Sequence, residues 1–144
     1  MLAHLLALIR ASRPTMTLLP RSVVEAIVLT GGSLGSAHDV AGWLGLRNRF
    51  ELARLLKREG LPPLHRLAAW ATVLSWLETT ERDGVSLCRL AYRSGRYPAA
   101  CYRLVKEVTG QAWEQTRARG SLWAAEQFLR ELRGCAAGAG HRRS

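Results

Sequence analysis

The chain repeats itself. Ser36, Ala41 and Gly45 recur fifty residues on as Ser86, Ala91 and Gly95. Arg54, Leu55 and Lys57 recur forty-nine on as Arg103, Leu104 and Lys106, and Gly60 recurs fifty on as Gly110. Ser is a strong helix N-cap, because its hydroxyl accepts from an otherwise unbonded N–H of the first turn. Gly takes the left-handed turn conformation that side chains resist. The repeated order therefore reads as a short helix, a tight turn and a second helix, made twice. Such a pattern leaves little room for a sheet, and no alternating strand pattern occurs elsewhere in the chain.

The flanking segments read as helix too. Leu2, Leu5, Leu6 and Ile9 share one face of a short helix over 2–10, which Arg13-Pro14 breaks. Pro20 opens a helix with Val23, Val24, Ile27 and Val28 on one stripe, and Gly31-Gly32 ends it. Gly31–Gly35 is not followed by Lys-Ser/Thr, which argues against a phosphate loop. In the first copy the helices are expected over 37–44 and 48–59, before Leu61-Pro62-Pro63 forces a break. A long helix is expected over 64–82 with Leu67, Trp70, Ala71, Leu74 and Leu77 on its period. The second copy predicts helices over 87–94 and 98–108, a short one at Trp113, and a last helix over 122–133 capped by Ser121. Residues 134–144, rich in Gly, Ala and Arg, are expected to be disordered. The chain thus divides into an N-terminal extension (1–20), a first helix-turn-helix subdomain (21–63), a connecting helix (64–84), a second subdomain (85–120), and a C-terminal helix and tail (121–144). The fold class is all-α.

Charge narrows the partner. Net charge is +10, and of 21 basic residues only Lys57 and Lys106 are lysines. Arg presents a planar fork that matches phosphate and guanine. Residues 21–60 carry 6 basic and 4 acidic groups, residues 61–84 carry 2 and 3, and residues 85–120 carry 7 and 2. The charge lies in the two copies and not between them, which suits two contacts with nucleic acid better than a continuous cationic membrane face. The apolar start is short and has no basic region ahead of it, so neither a signal peptide nor a membrane span is expected, and the location expected is cytoplasmic.

In a helix-turn-helix the first helix braces the second, and the second enters the major groove. In the first copy Val40, Ala41, Leu44, Leu46, Leu52 and Leu55 are the expected core. Arg47, Asn48, Arg49, Glu51, Arg54 and Lys57 are the expected DNA-facing residues, since Arg suits guanine, Asn suits adenine and Glu accepts from cytosine. In the second copy Leu87, Leu90, Ala91, Cys101, Leu104, Val105 and Val108 make the core. Arg96, Tyr97, Ala99, Ala100, Arg103 and Lys106 face out, the two alanines toward thymine methyls and the cations toward phosphates.

The segment Ser86-Leu87-Cys88-Arg89-Leu90-Ala91-Tyr92-Arg93-Ser94-Gly95, followed by Cys101 through Gly110, resembles the second helix-turn-helix of the AraC/XylS family of bacterial transcription regulators. It is similar to that family's cap, Ile-Ala, turn Gly, aromatic-x-Arg-x-Phe-Lys and closing Gly, with Leu90-Ala91 and Cys101-Tyr102-Arg103-Leu104-Val105-Lys106 at those places. Leu46 through Gly60 resembles the first unit, and the likeness covers about residues 21–120. It implies an AraC-type, homeodomain-like arrangement of seven helices, with recognition helices at about 48–59 and 98–108. The chain departs from the family at Arg96, where an apolar residue is usual, at Pro98, and at Gln111-Ala112-Trp113, where the family has a Pro-containing segment. Residues 1–20 are too short for the effector or dimerisation domain that family members commonly carry. The chain thus resembles stand-alone members or part of a larger regulator.

These observations predict a sequence-specific, double-stranded-DNA-binding transcription regulator, with RNA polymerase as a secondary partner, no membrane partner, and a monomer able to act, a dimer being left open. The competing expectation is a protein-interaction module on a degenerate helix-turn-helix, for which Trp123, Phe128 and Leu132 are the candidate interface, although Trp and Leu at helical spacing are more often core. Catalysis is not expected, because His4, His38, His65 and His141 are scattered and no nucleophile–base set assembles. No cofactor or metal is expected either, since Cys88, Cys101 and Cys135 lack zinc spacing. Because the two outward faces differ, the first copy should supply most of the sequence selectivity and the second more of the backbone affinity. Base-substitution footprints should therefore be stronger over the first copy's half-site, and equal footprints would contradict the asymmetry.

Overall fold

The computed structural model describes the backbone of residues 2–141 and the side chains of residues 3–134. Among the described residues there are nine helices and no strand. They are α1 (Leu2–Ser12), α2 (Leu18–Leu29), α3 (Ala37–Trp43), α4 (Arg49–Arg58), α5 (Leu64–Asp83), α6 (Leu87–Arg93), α7 (Pro98–Thr109), α8 (Trp113–Arg119) and α9 (Ser121–His141).

The repeat reappears as a pattern of hydrogen bonds. Ser36 Oγ accepts from the Asp39 N–H at 3.1 Å, and Ser86 Oγ accepts from the Arg89 N–H at 3.2 Å. Asp39 closes a full capping box by accepting from the Ser36 N–H; Arg89 cannot do the same. At the turns, Leu46 N–H donates to the Ala41 carbonyl and Arg96 N–H to the Ala91 carbonyl, each at 2.9 Å. These bonds demand a left-handed residue between them, and Gly45 (φ 74°) and Gly95 (φ 70°) supply it. Ala41 and Ala91 are buried, where a small side chain lets the following helix approach. Pro98 starts α7 one residue early, so four residues separate α6 from α7 where five separate α3 from α4. That lost residue is the step from a fifty-residue to a forty-nine-residue offset, and α7 recovers it before Gly110.

The centre of the molecule is α5. Its sequence period marks one apolar stripe, yet Thr72, Val73, Trp76 and Thr80 are buried as well. A helix buried on most of its circumference is a core helix, and α2, α6, α7 and α9 all pack against α5. The α2–α3 loop approaches it so closely that a Cβ on Gly32 would collide with Thr72 Oγ1 and the Ala68 carbonyl.

α9 is the second scaffold element. Phe128 is fully buried with its ring 5.8 Å from that of Trp70. Glu131 accepts from Arg66 Nε at 3.0 Å, Arg66 Nη2 at 2.8 Å and Trp70 Nε1 at 3.1 Å. The expected N-cap role of Ser121 is reversed. Ser121 is the first helical residue, and its N–H and hydroxyl donate to Glu81 of α5 at 2.7 and 2.6 Å. A carboxylate from another helix thus satisfies the start of α9, where the helix dipole favours negative charge.

Two terminal expectations change. Leu5, Ile9 and Met16 are buried, and α1 packs on α2 and α9, so the described part of the N-terminal extension contributes one face to the core. Arg10 donates to Glu25 at 2.7 Å, and that hydrogen bond holds the Glu25 carboxyl below the ordinary carboxylate range. The segment expected to be disordered continues α9 as far as His141, while 142–144 lie outside the described residues. All nine helices fall on stretches expected from the sequence, whereas the family resemblance implies seven, α1 and α9 lying outside the segment that carries it.

Phe128→Ala removes a fully buried ring from the α5–α9 seam and should lower stability by about 3–5 kcal/mol. Urea unfolding measures it, and a loss no larger than that of an exposed Leu122→Ala control would contradict the role given to α9.

Candidate nucleic-acid interface

α4 is built with one buried and one exposed face. Leu52 and Leu56 are fully buried, while Phe50, Arg54, Lys57 and Arg58 are exposed. At 100° per residue, Arg54 lies nearly opposite the Leu52–Leu56 seam. α7 has the same construction. Cys101, Val105 and Val108 are buried, and Ala99, Arg103 and Lys106 are exposed. Burial pushes the Cys101 thiol up, with nearby Arg96 opposing. The forty-nine-residue offset sets Arg54 on Arg103 and Lys57 on Lys106, each pair at the same angle relative to its buried seam. Among the described residues none of these four cations has a carboxylate within ion-pair distance.

The start of α4 is differently occupied. Asn48 is the N-cap, with Oδ1 accepting from the Glu51 N–H at 3.0 Å. Glu51 Oε2 accepts from the Arg47 N–H at 3.3 Å and lies 3.7 Å from Arg47 Nε. Arg47, Asn48 and Glu51 therefore bond to one another and close the helix start. Asn48 retains its amide N–H donors for another partner, but its oxygen is committed. The Arg49 guanidinium lies 5.0 Å from the Phe50 ring centroid. In the second copy Arg96 stands 5.6 Å from the Trp76 ring of α5, so it is stacked against the core helix as well as exposed. Tyr97 is 83% exposed just ahead of α7, and Ala100 is half-buried on the flank of that helix.

Sequence reasoning passed over Phe50, Arg58 and Tyr102. Phe50, Arg54 and Arg58 follow an i, i+4, i+8 spacing, which was the available signal. Tyr102 is exposed on α7 at the position of Ala53 on α4. By contrast Phe128 and Leu132 are fully buried, and Trp123 is half-buried with Arg119 stacked 5.0 Å away. The surface named for a protein-interaction module is thus largely core.

The two exposed helices are held unequally. α7 packs on α5, α6 and α8, and Arg66 of α5 donates to the carbonyls of Glu107 and Val108 at its C-terminal end, both at 3.2 Å. α3 and α4 pack chiefly on each other. The C-terminal end of α4 is held by Arg13, which donates to the carbonyls of Glu59, Gly60 and, on α9, Leu132. Between α4 and the start of α5 lies a groove of about 710 Å³, floored by Leu52, Leu56, Leu61 and Leu64 and edged by Arg49, Lys57 and His65.

Among the described residues no cluster of His, Cys, Asp and Glu could hold a metal ion, and no helix is long and apolar enough to cross a membrane. No protein-family model, curated protein or solved structure matches the chain.

Asn48→Ala should cost about 1 kcal/mol of stability through loss of the cap, whereas Asn48→Ser should cost little because Ser caps as well. Urea unfolding of both variants separates them, and equal losses would remove the capping role.

Proposed function

We propose that the chain is a sequence-specific, double-stranded-DNA-binding transcription regulator acting in the bacterial cytoplasm. In this reading residues 21–63 and 85–120 are two helix-turn-helix subdomains of the AraC type, and α5 within 64–84 is the connecting helix. α4 and α7 are the recognition helices, entering successive major grooves. The observation that carries the proposal is the matched pair of exposed cations, Arg54 with Lys57 and Arg103 with Lys106, each turned away from a buried seam and, among the described residues, without a carboxylate at ion-pair distance. An Arg and a Lys one turn apart on a helix that follows a braced turn suit one base edge and one phosphate.

Geometry of scale supports the pairing of grooves. Twenty residues of α5 span about 30 Å, close to the roughly 34 Å between major-groove segments on one face of B-DNA. Two units on one chain raise each other's effective concentration, so a monomer suffices. Phe50 adds an apolar surface next to Arg54, of the kind that meets a thymine methyl. RNA polymerase is the secondary partner in this reading, as for a regulator that acts at promoters.

Selection of bound sequences from random duplexes at moderate salt tests it. The chain should enrich one asymmetric motif, and its affinity should fall steeply as salt rises. Arg54→Ala should relax the motif at one position and cost about 1–3 kcal/mol there. Lys106→Ala should weaken all duplexes alike and reduce the salt slope by about one. Enrichment of no motif, or binding that salt leaves unchanged, would overturn the proposal.

A further inference from the structure

The groove beside α4 is an apolar trough with a one-signed rim. Leu52 and Leu56 are fully buried in its floor, Ala53 and Ala68 leave it open, and Arg49, Lys57 and His65 stand at its edge. Among the described residues no acidic one lines it. Among the described residues Arg49 and Lys57 have no carboxylate partner, and Arg49 is steadied against the Phe50 ring at 5.0 Å. At about 710 Å³ it falls within the range of small-molecule sites, roughly 300–1,000 Å³.

We propose that this groove binds a small organic anion with an apolar body, a carboxylate whose chain lies on the leucine floor and whose head meets Arg49 or Lys57. The apolar body supplies burial from water, and the guanidinium fork suits a carboxylate better than any neutral head group. The position of Ala53 carries Tyr102 in the second copy, so the repeat has diverged where the groove opens. Because α4 is packed chiefly on α3, a molecule spanning α4 and α5 restricts the placement of α4. It also competes for Arg49 and Lys57, so anion and DNA should weaken each other by the same factor. That last consequence rests on the DNA-binding reading; the site itself does not.

Methyl NMR of the full chain tests the proposal, titrated with hexanoate, heptanoate and octanoate and with octanol and octylamine as neutral and cationic counterparts. Octanoate should give saturable shifts at Ala53, Leu64 and Ala68, tightening about fourfold per added methylene along the series. Octanol should bind at least about tenfold more weakly and octylamine more weakly still. Ala68→Leu and, on the exposed flank of α4, Ala53→Phe should each reduce octanoate affinity about tenfold or more while the helical circular dichroism is unchanged. Either variant suffices should the other fail to fold. Absence of saturation, shifts away from the groove, octanol equal to octanoate, or undiminished binding by a folded filled variant would overturn the site. With a selected duplex, octanoate should lower the affinity of the wild type and not of Ala53→Phe. Octanoate binding by a chain that enriches no DNA motif would support the site and remove only the functional reading.

Discussion

The bonds from Arg66 and Trp70 to Glu131 hold the molecule's two longest helices together. Arg66 lies on α5, gives two hydrogen bonds to the Glu131 carboxylate of α9, and reaches the last carbonyls of α7. One side chain thereby joins the central helix, the C-terminal helix and an exposed basic helix. A half-buried carboxylate with three donors is well compensated, whereas loss of any one partner would strand a charge or an indole N–H in a poorly hydrated seam. The Trp70–Phe128 contact and the Glu81–Ser121 bonds extend the same seam toward the C-terminal end of α5 and the start of α9.

From this seam follows the unequal treatment of the two helix pairs. α7 is packed on three sides and its end is fastened by Arg66. α4 is braced by α3 and fastened at its end by Arg13, which comes from the turn between α1 and α2. The N-terminal segment therefore has a mechanical task. It carries the guanidinium that joins the end of α4 to α9. The looser flank of α4 is also where the apolar groove opens, so the more polar of the two exposed helices is the less constrained.

Much of this architecture was legible in the chain. Ser36, Gly45, Ser86 and Gly95 mark helix starts and turns because capping and left-handed backbone are local properties, decided within a few residues. The buried seams at Leu52 and at Cys101, Val105 and Val108 follow from helical period. Less legible were residues whose type serves two ends. Asn48 suits an adenine edge and an N-cap equally, and only the geometry at the start of α4 commits its oxygen to the Glu51 N–H. Trp123, Phe128 and Leu132 read as either interface or core until the packing of α9 decides. Arg13 reads as an ordinary basic residue before a proline, since its three carbonyl partners lie 46 to 119 residues away.

The sequence by itself determined an all-helical chain, the twofold repetition of a capped helix and a glycine turn, and the placing of Arg54, Lys57, Arg103 and Lys106 at equivalent positions. Those outcomes rest on short-range bonding and on helical period, which neighbouring residues settle among themselves. Tertiary structure alone decided that residues 3–20 and 121–134 are scaffold, that Glu81 starts α9, and that a groove opens beside the first copy. Each of these depends on which distant surfaces meet, and burial and long-range hydrogen bonding are properties of the assembled chain and not of any window within it.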